Sequence, residues 1–192
     1  VNERQWVDTL VEPLQTTLNR DRPSPAIGVV AGRHLRYTSQ IHAYQGDDPA
    51  ESDAQRYETD LLFFDTLPDD RWVPRVIVEC KLKSINTHEA LAYSSKASTH
   101  KQVHPYLRYG MLIGQRRHAG IPRRLIKHGT HFDFLVAWIG RPTAGPPFRR
   151  FCQLIGEEIE ASRTLQCLLT TRRSRLDGQY QTLHRPLKLN RA

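Results

Sequence analysis

The chain has 192 residues, which bounds it to one core with at most a small appendage. Apolar residues make up 39% and charged residues 25%, a balance that suits a soluble globular protein and argues against a disordered or fibrous one. The net charge of +8 points to a polyanionic partner.

No apolar run approaches the roughly 18–20 residues that cross a bilayer. The first apolar stretch is short and broken by Asp8 and Glu12, so a secretory leader is not expected. Cys80, Cys152 and Cys167 are odd in number and lack C-x-x-C spacing, against a disulfide framework or a cysteine-only zinc site. A cytoplasmic, nucleic-acid-associated location is the expectation. Charge is unevenly spread. Between Ala90 and Phe132 there is no acid but there are Lys96, Lys101, Arg108, Arg116, Arg117, Arg123, Arg124 and Lys127. The preceding stretch, Asp47 to Glu89, holds most of the acids, and the C-terminal stretch turns basic again. An acidic middle between basic flanks suits a metal site set in a phosphate-binding surface.

In chain order, residues 2–20 read as a helix, with Trp6, Leu10, Leu14 and Leu18 recurring every four. Asn2 and Gln5 resemble a capping box, and Pro13 is expected to kink the helix or end it early. Arg22-Pro23-Ser24-Pro25 reads as a stop and linker. Ala26–Val30 and His34–Tyr37 read as a hairpin about Ala31-Gly32-Arg33, and residues 45–55 as a polar, acidic loop. Glu58–Thr66 and Arg75–Lys83 are the two clearest strands, joined by Leu67-Pro68-Asp69-Asp70 with turn chemistry. Asn86, with Glu89 three residues on, starts a helix that runs to about His104. Tyr109–Ile113 and Phe132–Ile139 read as strands, with a basic loop or short helix at 115–128 between them. Arg149–Leu169 reads as a final helix before a basic, irregular tail. The order gives an α/β fold with a mixed central sheet flanked by helices. Residues 1–145 form the core, and 146–192 a helix and tail packed on the same domain.

The segment Glu79-Cys80-Lys81, preceded by Thr59-Asp60, carries the chemistry. Residues two apart on a strand share a face. Glu79 and Lys81 therefore project to one side, and Val76, Val78, Cys80 and Leu82 to the other. A Glu and a Lys in so apolar a strand are costly unless paired or bound to an ion. If the two strands form a hairpin about the 68–71 turn, partners sum to roughly 141 and Asp60 lies opposite Lys81, beside Glu79. Asp65 then sits near Val76 on the other face, on the order of 10 Å from Glu79 at about 3.3 Å per residue. Two carboxylates meeting across a strand pair repel, and a hard divalent cation relieves that repulsion.

This arrangement resembles the PD-(D/E)xK nuclease superfamily, in which an Asp is followed after a spacer by Glu-x-Lys on the next strand. Thr59 stands where the family name has Pro. The resemblance implies a restriction-endonuclease-like fold, with Asp60 and Glu79 holding Mg²⁺, or Mn²⁺ in its place. Lys81 would position and deprotonate the attacking water. Gln102 and Tyr106 match the QxxxY element of RecB-like members, which would send Gln102 to the scissile phosphate or the metal-bound water. Glu3 matches a first-helix glutamate that joins the metal site. The similarity covers residues 2 to about 140. The function it implies is a Mg²⁺-dependent DNA endonuclease of restriction, defence or repair, homodimeric if both strands are cut. Lys96, Lys101, Arg116, Arg117, Arg123 and Arg124 are the expected nucleic-acid contacts.

The competing reading is a non-catalytic nucleic-acid-binding module on a nuclease-like fold. His100 and His104 have the i, i+4 spacing of zinc ligands but no third ligand nearby, so exposed or phosphate-contacting histidines are expected instead. No G-x-S-x-G, P-loop or G-x-G-x-x-G pattern occurs, which disfavours serine hydrolases and nucleoside-triphosphate enzymes.

Overall fold

A computed structural model describes residues 2–20, 25–118, 120–171, 182–183 and 187–189. The Arg22–Ser24 part of the expected linker and most of the basic tail beyond Thr171 lie outside the described residues. The elements are α1 (Glu3–Asn19), β1 (Ile27–Gln45), β2 (Asp48–Thr66), β3 (Trp72–Leu82), α2 (Thr87–Val103), β4 (Arg108–Arg116), α3 (Arg123–His128), β5 (Phe134–Ile139) and α4 (Gly145–Thr170). The strands form one open five-stranded sheet in chain order. β1, β2 and β3 run antiparallel, and β3, β4 and β5 run parallel. The protein is therefore α/β with a mixed sheet. Among the described residues no helix is long and apolar enough to cross a membrane.

Both caps read from sequence are present. Asn2 Oδ1 accepts from Gln5 N at 2.9 Å while Gln5 Oε1 accepts from Asn2 N at 3.1 Å. Asn86 and Glu89 repeat the exchange at the start of α2, at 2.8 Å in each direction. Pro13 does not end α1 as expected. Its ring removes one backbone hydrogen bond. The apolar stripe continues past it, however, with Leu10 before and Leu14 and Leu18 after all buried, and that packing holds the helix together.

The sheet is covered on both faces. Trp6, Leu10 and Leu14 of α1 and Phe148, Ile155 and Ile159 of α4 pack against Phe63, Val76, Val78, Cys80 and Leu112. Ala97 of α2 packs with Leu62, Ile77 and Tyr109 on the other face, and Ala90 with Met111 and Ile113 beside them. α4 thus shares the first core. Gln15 and Asn19 of α1 also close the start of the β1 edge. The Gln15 amide accepts from Val29 N at 2.7 Å and donates to the Ile27 carbonyl, while Asn19 exchanges bonds with both backbone groups of Ile27.

Two expectations fail in the first hairpin. Gly32 does not make a turn, and residues 48–55 are not a loop. β1 passes straight through Gly32, which takes φ +68°, and pairs with β2 as far as Gln45↔Asp48 across the true turn at Gly46. The outer half of this ribbon, from Thr38 to Gln55, is largely exposed on both faces. Its sequence shows no apolar/polar alternation for that reason, and it reads as loop.

The β2–β3 register is also shifted from expectation. Leu61 pairs with Val78, Leu62 with Ile77 and Phe63 with Val76, after which an irregularity past Phe63 sets Phe64 opposite Pro74 and Asp65 opposite Val73. Partners near the site therefore sum to 139 rather than 141. A slip of two preserves which face each side chain takes. It moves Asp60 from the Lys81 position to the Glu79 position.

Candidate active site

Strands β2, β3 and β4 and helix α2 deliver the site, and Glu3 of α1 reaches its edge. Glu79 lies mid-strand on β3 and is 1% exposed. Its Oε1 accepts from the Lys96 ammonium of α2 at 2.7 Å and from the Tyr109 hydroxyl of β4 at 2.5 Å. Burial pushes the Glu79 carboxyl up from 4.5 to about 7. The nearby Asp60 charge adds to that rise, and Lys96 and Tyr109 oppose it. Asp60 is half-buried on the neighbouring strand, and its Oδ2 accepts from the backbone N–H of Cys80 at 2.7 Å. That bond fixes the Asp60 carboxylate against the strand that carries Glu79.

Lys81 follows on the same face as Glu79. Its Nζ is 3.0 Å from Glu3 Oε1 and 5.3 Å from the Tyr93 ring centre. Burial works against its charge, but the hydrogen bonds and charges of Tyr93 and Glu3 outweigh that and raise its pKa. A lysine held in this way keeps its proton. It can orient and stabilise an anion, and it is a poor base for removing a proton from water, which departs from the role the resemblance implies. The other oxygen of Glu3 accepts from Leu82 N at 3.2 Å. Glu3 therefore reaches the site, but as a clamp on the end of β3 and on Lys81, with both oxygens already engaged.

Lys96 was expected on an exposed basic surface and is instead part of the site. Its side chain is 15% exposed, its Nζ also donates to the Glu58 carbonyl at 2.5 Å, and the Tyr57 and Tyr93 rings lie 5.5 and 5.9 Å away. Lys101 is also committed elsewhere, to Asp133 at 2.8 Å and the His131 carbonyl at 2.7 Å. Arg108, from the same acid-free stretch, is tied to Asp133 and Glu158. Arg117, Arg123 and Arg124 are exposed, and Arg116 is half-buried with its guanidinium on the His118 and Lys83 carbonyls.

Gln102 is not brought to Asp60 and Glu79. The face of α2 turned to the sheet carries Ala90, Ser94, Ala97 and His100. At 100° per residue, Gln102 points away from it, and it is exposed. It also lies about 9 Å further along the axis than Lys96 at 1.5 Å per residue. Tyr106 is half-buried, with the Arg75 guanidinium 5.6 Å from its ring centre. Sequence reasoning missed Tyr93, Lys96 and Tyr109 as members of the site. Tyr93 and Lys96 are three apart on one helix, so a helical-face argument could have paired them, but nothing local ties Tyr109 to Glu79.

His100 is buried, contrary to expectation. Tyr109 stacks on it at 5.8 Å, and Tyr37 and Tyr57, themselves stacked at 3.8 Å, meet it edge-on. Burial lowers its pKa to about 4, the Lys96 charge adds to the effect, and the Arg36 backbone opposes it, so the ring stays neutral at ordinary pH. His104 is half-buried and shifted the same way, by burial.

Asp65 plays no part in this site. It is 2% exposed on the α4 side of the sheet, where its Oδ2 accepts from Arg75 Nε at 2.7 Å and Arg163 Nε at 3.1 Å. Arg163 Nη2 reaches its other oxygen at 2.5 Å.

Among the described residues, no three His, Cys, Asp or Glu side chains stand close enough together to hold a metal ion. Two carboxylates do converge, Asp60 and Glu79, and a hard ion such as Mg²⁺ is commonly held by one or two carboxylates with waters completing its shell. A buried Glu79 whose charge is opposed by its surroundings and by Asp60 is the donor set that such an ion would favour. No protein-family model matches the chain, and no curated protein matches it in sequence.

Proposed function

We propose that the protein is a metal-dependent nuclease of the PD-(D/E)xK kind, cutting DNA phosphodiesters at Asp60, Glu79 and Lys81. The observation that carries the proposal is the convergence of Asp60 with Glu79 from adjacent strands while Lys81 projects from the same face of β3. Two carboxylates facing one another serve no purpose in a surface that only binds phosphate. The helix–three strands–helix–strand order from α1 to β4, with a mixed sheet, supports a restriction-endonuclease-like reading of the fold.

Mg²⁺, with Mn²⁺ as a substitute, would be held by Asp60 and Glu79 and would supply Lewis-acid stabilisation of the charge that builds on the phosphoryl oxygens. The chain's own groups do the rest. The Cys80 N–H holds the Asp60 carboxylate in place, and Lys96 with Tyr109 hold Glu79 through Oε1. Lys81, fixed by Glu3 and kept protonated, presents a positive charge to a phosphate or an attacking water. Neither Glu3 nor Gln102 belongs among the reacting groups in this scheme.

One observation favours the non-catalytic reading: Lys96 already neutralises Glu79, and among the described residues no third acidic ligand completes the pair. Incubating the chain with supercoiled plasmid separates the two. Nicking or linearisation in Mg²⁺, lost in excess EDTA and in Asp60→Ala and Glu79→Ala, is the expected result. Undiminished cleavage in EDTA, or an active Asp60→Ala, overturns the assignment. Salt-dependent binding with no cleavage of DNA or RNA in Mg²⁺ or Mn²⁺ establishes the binding module instead.

A further inference from the structure

The three parallel strands β3, β4 and β5 end side by side, and ligands of open α/β sheets gather at the carboxyl ends of such strands. At this edge the chain forms an open groove of about 810 Å³. Lys83, Arg116, Arg117, Arg123, Arg124 and His118 line it, and among the described residues no carboxylate does. None of the five lysines and arginines is in an ion pair with a described residue. Five uncompensated cations around one concavity repel each other, and an anion relieves that repulsion. The walls are also unusual in their backbone. Lys83 and Gln115, which follow β3 and end β4, both take left-handed conformations without being glycine, at φ +69° and +55°. Such residues persist where surrounding bonds hold them and gather at ligand sites. Here the Lys83 N–H is held by the Gly114 carbonyl at 2.8 Å and the Gln115 N–H by the Gly140 carbonyl at 2.5 Å.

Lys83 lies two residues beyond Lys81, roughly 6–7 Å along the chain. We propose that this groove is a phosphate-binding pocket that grips the nucleic-acid backbone beside the scissile position, so that cutting occurs at a fixed short distance from the gripped phosphate. The location relative to the cut rests on the nuclease reading, while the phosphate pocket itself does not.

Binding in EDTA, where no metal-dependent cleavage interferes, tests the pocket. Fluorescence anisotropy of a labelled duplex is recorded over a salt series for the parent chain and for Arg116→Gln/Arg117→Gln/Arg123→Gln/Arg124→Gln. A control with the same loss of charge, Arg56→Gln/Arg141→Gln/Arg149→Gln/Arg150→Gln, alters exposed arginines outside the groove. The groove variant should lower the log–log salt slope by about 3–4, at about 0.9 per phosphate contact, and the control by less than about 1. Duplexes with 5′-phosphate and 5′-hydroxyl ends identify the source of the phosphate. A tenfold preference for the phosphorylated end that vanishes in the groove variant assigns a terminal phosphate, and equal affinity with the slope change assigns an internal one. An unchanged slope in the groove variant, or an equal drop in the control, overturns the proposal. If the parent chain fails to cut plasmid yet the groove variant loses its slope, the nuclease reading falls and the pocket stands. If the parent cuts and the groove variant binds and cuts as the parent does, the pocket alone falls.

Discussion

Replacing Asp65 by alanine is expected to unfold the protein early on heating while leaving the chemistry of the folded molecule intact. Asp65 is 2% exposed and holds two arginines, Arg75 from β3 and Arg163 from α4. The Arg75 side chain is only 8% exposed, and its Nη1 has no hydrogen-bond partner among the described residues even with Asp65 present. Alanine would leave that guanidinium buried with no counter-charge, and removing one member of a buried pair costs about 3–5 kcal/mol. For a domain of this size each kcal/mol lowers Tm by about 2–4 °C, so the midpoint should fall by about 6–20 °C. Thermal unfolding followed by circular dichroism measures the drop, and plasmid cleavage well below the new midpoint measures the chemistry. Arg163→Ala should cost less, since Arg163 is 25% exposed and Arg75 keeps Asp65 as its partner. A Tm within about 2 °C of the parent would refute the reasoning about the buried triad. Full stability with cleavage abolished would place Asp65, rather than Asp60, among the reacting groups.

Two further variants probe the site itself. Glu79 binds its proton more tightly in the folded protein, about 7 against an ordinary 4.5, so the folded state holds more protons than the unfolded one across that window and stability falls as pH rises through it. At about 1.4 kcal/mol per pH unit the loss is about 3 kcal/mol. Glu79→Gln should abolish cleavage yet shrink the Tm difference between pH 5 and pH 8 by several degrees, and an unaltered difference counts against a buried, strained carboxyl. Lys81→Met should retain DNA binding and lose about 10²–10³ in single-turnover rate at saturating Mg²⁺, as for removal of a group that stabilises developing negative charge, whereas a rate within about threefold of the parent shows that Lys81 merely neutralises Glu3.

Sequence carried the site as far as local geometry could take it. Period-2 alternation placed Glu79 and Lys81 on one face of β3 and excluded Asp65 from it, and a register error of two residues did no damage because it conserves faces. The caps at Asn2 and Asn86 were legible because their partners sit three residues away. The losses were non-local. Lys96 reads as one more surface lysine until Glu79 is found beneath it, and His100 reads as exposed until three tyrosines from β1, β2 and β4 close around it. Gln102 and Tyr106 have the spacing of a motif, but the turn of α2 sends Gln102 away from the strands. The ribbon's outer half escaped because strand periodicity reports a buried face, and it has none.

That ribbon bears on how separate molecules tolerate one another. Beyond the stretch of β1 sealed by Gln15 and Asn19, and beyond the stretch of β2 paired to β3, both of its margins present backbone N–H and C=O groups to solvent. Unpaired margins of this kind are templates on which another chain can add a strand. Between Thr38 and Gln55 the sequence has no lysine or arginine, while Asp47, Asp48, Glu51 and Asp53 crowd the tip. Two ribbons approaching margin to margin would bring these acids together, so a single-signed charge on an otherwise basic protein works as a barrier to sheet extension. The barrier depends on ionised carboxylates. Strong acid, or replacement of the four by their amides, removes it and leaves Ile41 and Tyr44, both exposed on the same ribbon, to favour edge-to-edge assembly.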